Sequence, residues 1–476
     1  MFEKRLLLAL LLAAPLAACG EDDKDATNDD AGITGGTPSG GDTPPVGGTP
    51  AGGDTPPVGG TPAGGDTPPV GEPIMVGGEL TGDVTWPAGA KVTLTDHVFV
   101  KGTLTIGAGA TIHGQASTSL VVTRDGRIDA RGTAQAPIVF TSAEPVGSRS
   151  AGDWGGVVLL GKASINVAGG EEKIEGFADD ETRTVYGGSD AAHNCGTLEY
   201  VRIEFAGFEL SPDNELNGLS VGGCGNTTKL DHIQIHKGAD DGIEFFGGTA
   251  NVSHLVVTQA NDDSVDWDYG WTGLGQFIVI QQSLVDGDHG FECDNNGDAN
   301  DALPRSAPNI WNATYIGSGG MPDEAAESQA FAHLRRGTAG MFNNVIIAHA
   351  SDDVDKLSDE ATVAQIDAGA LKISNSIFFS NVGANEVAIP DEMGDDDDDG
   401  GYDDDLLVND PASMNRFVDP MLTDALNLEA PNFMLMPGSP ALMGGATPSA
   451  GDTTATYVGA FGATDWTAGW TAFPAN

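Results

Sequence analysis

Three stretches in the middle of the chain repeat one pattern: GADDGIEFFGG (238–248), ANDDSVDWDYG (260–270) and DGDHGFECDNNG (286–297). Each follows a short β-rich run, LDHIQIH (230–236), VSHLVVT (252–258) or FIVIQQ (277–282). Glu244 recurs as Asp266 after 22 residues and as Glu292 after a further 26. A period in the twenties that alternates apolar and polar residues marks a solenoid, whose units bury a continuous core only by stacking. A sandwich or barrel would not explain an echo of individual residues. The pattern predicts an all-β chain coiled as a right-handed parallel β-helix.

Period-2 alternation sorts the side chains of each copy. Ile243, Val265 and Phe291 point inward, as do Phe245, Trp267 and Cys293. Glu244, Asp266 and Glu292 then form one outward column, and Phe246, Asp268 and Asp294 the next. Asp240, Asp241, Asp262, Asp263, Asp286 and Asp288 add a third acidic line in the turns before the strands. Strands stack roughly 4.8 Å apart, so carboxylates in register repel unless something neutralises them. FAHLRRG (331–337) fits the same frame as a fourth rung, with Leu334 inward, His333 below Glu292 and Arg335 below Asp294.

The rest of the C-terminal four hundred residues reads the same way. VTLT, VFV and TLTI alternate with Gly-Ala turns after residue 78, and MFNNVIIAHASDD (341–353) and LKISNSIFFSN (371–381) continue the coil. Strands this short with turn signals every few residues indicate an all-β coil. Helix is expected only at DEAAESQ (323–329) and DEATVAQ (359–365). The run at 391–405 is read as a solvated acidic loop, and Trp466 and Trp470 as a cap over the open core.

The first residues belong to another programme. Lys4 and Arg5 precede LLLALLLAAPLAA, which ends at Leu16-Ala17-Ala18-Cys19. This resembles a bacterial lipoprotein signal, implying cleavage of 1–18, acylation of Cys19 and attachment to the membrane through its acyl chains alone. Gly20 points to the outer membrane within that class, and display at the cell surface is expected. Residues 19–75, with GGTPAGGDTPPV and its near-copies every 12 residues, have almost no large apolar side chain. Such a segment cannot offset its ordering entropy and reads as a disordered linker. It would hold a β-helix domain at 76–476 on the order of 40 Å from the bilayer.

Seventy Asp and Glu stand against 21 Lys and Arg, a net charge of −49. That argues against nucleic acid as a partner and is met by bound cations, a cationic partner, simple solubility or a salt-rich habitat. Cys195 and Cys224, 29 residues apart, suit a disulfide between coils outside the cytoplasm, while Cys293 falls on an inward position.

The run IEGFADDETRTVYGGSDAAHNCGTLEYVRIEFAGFELSPDNELNGLSVGGCG, preceded by GDWGGVVLLGKASIN and followed by DDGIEFFGG, resembles a family of secreted and lipid-anchored β-helix proteins of Bacteroidetes and myxobacteria. The ending YVGAFGATDWTAGWTAF (457–473) is similar to theirs. The resemblance spans roughly 85–476 and implies the fold and a surface location; it supplies no settled activity.

Hard-cation chemistry is the leading expectation for the acid columns. Asp240, Asp262, Asp266, Asp268, Glu292, Asp294, Asn296 and Asp298 offer the oxygen donors that Ca²⁺ takes. The competing reading is a stacked polar turn in which Asp and Asn bond backbone amides. Glu244, Asp266, Glu292, His333 and Arg335 form a candidate catalytic set, for a polysaccharide lyase with calcium on a uronate or a glycoside hydrolase with paired acids. Arg335 can equally be an ion pair closing the column. His232 and His254, also 22 residues apart, read as surface residues on equivalent rungs. The favoured function is a binding or adhesion module for calcium and a glycan or surface protein, ahead of a carbohydrate-active enzyme or a structural surface component.

Overall fold

The computed structural model describes residues 73–178, 180–211, 214–319, 329–351, 354–381, 402 and 405–476. The expected signal, linker and acidic loop, and most of the helix at 323–329, lie outside the described residues. Within them the chain is a parallel β-helix: 25 strands form one sheet, and each strand pairs in parallel with its equivalent on neighbouring coils.

Each coil has three faces. One carries the acid column, and six of its strands are named here: β1 (Leu219–Gly222), β2 (Ile243–Phe246), β3 (Val265–Asp268), β4 (Phe291–Cys293), β5 (Ala332–Leu334) and β6 (Asp355–Leu357). The other two faces are formed by the halves of longer strands such as Lys229–His236, Asn251–Thr258 and Leu274–Gln281. These strands bend at one residue in the left-handed region, His232 (φ 57°), His254 (φ 54°) or Phe277 (φ 61°). Non-glycine residues bear a cost of about 1–2 kcal/mol there. Stacking offsets it: ring centroids of Tyr200 and His232 lie 4.2 Å apart, His232 and His254 4.2 Å, and His254 and Phe277 4.8 Å. His232 and His254 are therefore corner residues that share Asp231 Oδ1 at 2.8 and 3.0 Å, rather than loose surface groups.

The core runs without a break from Trp86 to Val408. Ile243, Phe245, Val265, Trp267, Phe291 and Cys293 are all within it, as the alternation requires, and Phe245 stacks on Trp271 at 4.0 Å. Cys195 and Cys224 are joined by a disulfide. A helix at Glu360–Asp367, capped by Asp359, stands at the second helical site expected.

The C-terminal segment overturns one expectation. Instead of capping the open end, it runs back along the flank, covering Val256, Val279, Ile316 and Ile346 with Phe433, Val458, Phe461 and Trp470. Side-chain amides hold its backbone: Gln234 bonds Ala472 in both directions, Gln276 bonds Asp452, and Asn344 bonds Ala446. A face buried on both sides explains why runs such as LVVT and FIVI are apolar without alternation.

Candidate functional site

Pairing in the acid face sets Glu244 opposite Asp266, Asp266 opposite Glu292, and Glu292 opposite His333. The fourth rung thus has the register read from FAHLRRG. Arg335, one step beyond, bonds Asp294 through Nε at 3.0 Å and also pairs with Glu292. Arg336 adds a second pair to Asp294, at 2.8 Å.

The column points away from the core, yet apart from the half-buried Glu292 it does not meet solvent. Glu244, Asp266, Asp268 and Asp294 are 3%, 7%, 0% and 1% exposed. An excursion between Gly161 and Gly187, including a hairpin of Glu171–Lys173 with Val185–Gly187, lies over the face. Its Ile165, Ile174, Phe177 and Tyr186 pack on Phe99, Val158, Leu160 and Phe246. Asn166 ties it down, donating to Asn295 Oδ1 at 2.9 Å and accepting from Asn296 Nδ2 at 3.0 Å. The expected open outer face is therefore a closed one, because Phe246 and its neighbours give the excursion an apolar seat.

The buried acids divide into two groups. At the Arg end, Asp263 Oδ1 lies 3.0 Å from His289 Nδ1 and accepts the His289 backbone N–H at 2.6 Å. Burial would raise this carboxyl, but His289 outweighs it and holds Asp263 below the usual range. Asp294 is intermediate: burial lifts it to about 7, with the Arg336 guanidinium pulling the other way. At the other end, Asp241, Glu244 and Asp266 each offer an oxygen, all within 4.8 Å of one another. Burial, followed by the charges of adjoining acids, pushes all three well above the ordinary carboxylate range. Glu175, from the excursion, is raised in the same way and hydrogen-bonds Glu244.

Several candidates are already engaged. Glu292 and Asp294 face arginine, and Asn296 Oδ1 accepts the amides of Asp298 and Ala299, the polar-turn arrangement weighed against calcium. Asp298 is exposed, away from the sealed acids. Asp240 and Asp262 do approach one another, each with an oxygen within 4.8 Å of the other and of one from Asp241. Among the candidate catalytic groups, His333 is buried beside His289, held down to about 3 mainly by that burial, and bonded to Ser358 Oγ at 2.6 Å. It is a neutral packing group, and Arg335 is occupied by two acids. The burial pushes the Cys293 thiol up as well, keeping it inert. Glu175 and Asn217 had no signal in the repeat, since both come from outside it; Asn217 Nδ2 donates to Glu244 Oε2 at 2.6 Å.

One family model agrees with the fold. The Dettilon tailspike protein is similar at 13% identity over 65% of this chain and 55% of that one, with a TM-score of 0.18, too low to carry any argument. The chain spans about 55% of that protein's length. No curated protein matches the chain. Residues 78–399 match the family described as pectate-lyase like beta helix domain. That match speaks to the coil and not to lineage or lipid anchoring. With its single sheet of parallel coils, the chain belongs to the pectate-lyase-like β-helix domain family.

Proposed function

We propose that this chain is a lipid-anchored β-helix of the outer membrane, displayed at the cell surface, that acts as a calcium-carrying binding or adhesion module for a glycan or a neighbouring surface protein. The observation that carries this reading is the closure of the acid face. A polysaccharide chain cannot reach Glu244 or Asp266 beneath the excursion, and His333 and Arg335 are held by internal partners. Acid–base catalysis needs groups within hydrogen-bond reach of substrate. The signal ending at Cys19 and the repetitive tether support display, and the −49 charge supports cation binding.

Membership of a pectate-lyase-like family favours one second reading, a carbohydrate-active enzyme whose site lies elsewhere on the coil. Incubating residues 76–476 and its Arg335→Ala variant with a polysaccharide panel separates the two. Saturable binding without new reducing ends or unsaturated products is expected. Turnover that survives Arg335→Ala would establish an enzyme whose site lies elsewhere on the coil, and turnover abolished in a variant still folded by circular dichroism would return the chemistry to the acid column. For the anchor, Cys19→Ala is expected to move the protein from the membrane fraction to the soluble one; retention in the membrane would refute lipidation.

A further inference from the structure

We infer that Asp231, His232 and His254 form a solvent-reachable site for a zinc-class divalent ion that bridges two neighbouring coils beside the C-terminal segment. The inference goes beyond the calcium reading and is independent of it, because calcium takes oxygen ligands and this set carries two imidazoles.

The 22-residue spacing alone offers two imidazoles and no third ligand. The backbone bend supplies one. Consecutive residues of a strand point to opposite faces. The left-handed turn at His232 breaks that rule and brings its ring to the same side as Asp231, while Asp231 pairs with Ser253 and so reaches His254 diagonally. Asp231 Oδ1 lies 2.8 Å from His232 Nδ1 and 3.0 Å from His254 Nδ1. Zinc holds nitrogen and oxygen at about 2.0–2.2 Å, so neighbouring ligands of one ion stand roughly 3.0–3.5 Å apart, close to the spacing found. The three residues each offer a donor atom within 4.8 Å of the other two. The other carboxyl oxygen, Oδ2, faces the Lys229 ammonium at 3.5 Å, which leaves Oδ1 to the rings. Heavy-atom positions do not fix the ring protons: atoms that hydrogen-bond when Nδ1 is protonated are ligands when the proton sits on Nε2.

Neither the bend nor the stacking calls for imidazole. The same corner is held by Tyr200 and Phe277 on the flanking coils and by Asn312, Asn344 and Asn375 further along, all in the left-handed region. The residue before the bend is Glu199, Asp231, Ser253, Gln276 or Trp311, so acid and histidine coincide at His232 among these coils.

A second observation concerns access. All three side chains are partly exposed. A cleft of about 330 Å³ opens beside Asp231 and His254, lined by Asn251, Ser253, Leu274 and Gln276 among others. It gives room for the water that zinc sites with three protein ligands keep in the remaining position. On the other side, Trp466 meets the His254 ring at 5.0 Å and Trp470 meets His232 at 5.7 Å, both steeply inclined. An ion that fixes the two rings would also steady the seat of the C-terminal segment.

The test is a calorimetric titration of the tag-free, full-length chain with zinc, in about 1 mM calcium so that oxygen-rich sites are already filled. Saturable uptake by the wild type is expected. His232→Asn/His254→Asn installs the residue that the same bend holds at Asn312 and Asn344, so the fold should persist by circular dichroism. Loss of outer-shell partners alone weakens metal sites by about 10–100-fold, so this loss of two ligands should weaken zinc binding by at least about tenfold. If the double variant fails to fold, Asp231→Asn is measured instead, with the same expectation. Cobalt in place of zinc gives a second readout: visible absorption of the bound ion should appear in the wild type and vanish in the variants. A wild type that takes up no zinc would overturn the site. Uptake unchanged in folded variants would do so too, placing the ion elsewhere. Either result leaves the calcium reading untouched.

Discussion

The two ends of the acid column share one ladder and differ in how their charge is met. At the Glu292 and Asp294 end, Arg335 and Arg336 are built in, and His289 serves Asp263. At the Asp241, Glu244 and Asp266 end, the neighbours are further acids and an amide. Identical backbone geometry thus supports a self-sufficient ion-pair network on one side and a site dependent on outside compensation on the other. The lesson is that a stacked column is a scaffold for charge, and the residue on the next rung decides whether it closes.

The largest effect should come from breaking the closed end. Arg335→Ala leaves Glu292 and Asp294 short of a partner and is expected to cost about 3–5 kcal/mol in denaturant unfolding. A cost under about 1 kcal/mol would mean that the pairs are not needed. The open end should respond with opposite sign: in metal-free protein, Glu244→Gln removes a repelling charge and is expected to be neutral or to stabilise by about 1 kcal/mol. A loss like that of Arg335→Ala would erase the distinction between the ends.

Acidity sharpens the contrast. Carboxyls raised in the folded state bind protons that the unfolded chain has released, so their contribution is fullest below the ordinary range near pH 4. It is lost as pH rises through that range towards the raised folded values. The metal-free difference in stability between wild type and Glu244→Gln/Asp266→Asn should therefore fall by on the order of 1 kcal/mol per pH unit above about pH 4. A flat difference would show that Glu244 and Asp266 are not raised. Asp263, held low by His289, works the other way, with stability present above the ordinary range and lost as pH falls. The smallest effect is expected at Asp298: exposed, its change to Ala should stay within about 0.5 kcal/mol by thermal melting, calcium present or not.

Much of this was legible before any coordinates. The 22-residue echo of Glu244 in Asp266, and the alternation around it, identified the coil and its inward residues. The match of FAHLRRG to the same frame put His333 beside Glu292 and Arg335 beside Asp294, which is the pairing found. The covering was not legible. Alternation distinguishes inside from outside the coil, and it is blind to a loop that folds back from elsewhere in the chain. The same blindness turned Trp470 from an end cap into a flank contact.

The sequence alone therefore determined the coil, its core and the vertical order of the acids, because a stacked repeat converts spacing directly into register. Tertiary structure alone decided that Glu175 and Asn217 join those acids, and that Glu244, Asp266, Asp268 and Asp294 are buried. Those contacts join segments unrelated by the repeat, and burial is a property of what lies on top. Burial in turn converts a row of solvated carboxylates into one that needs protons, arginine or a cation.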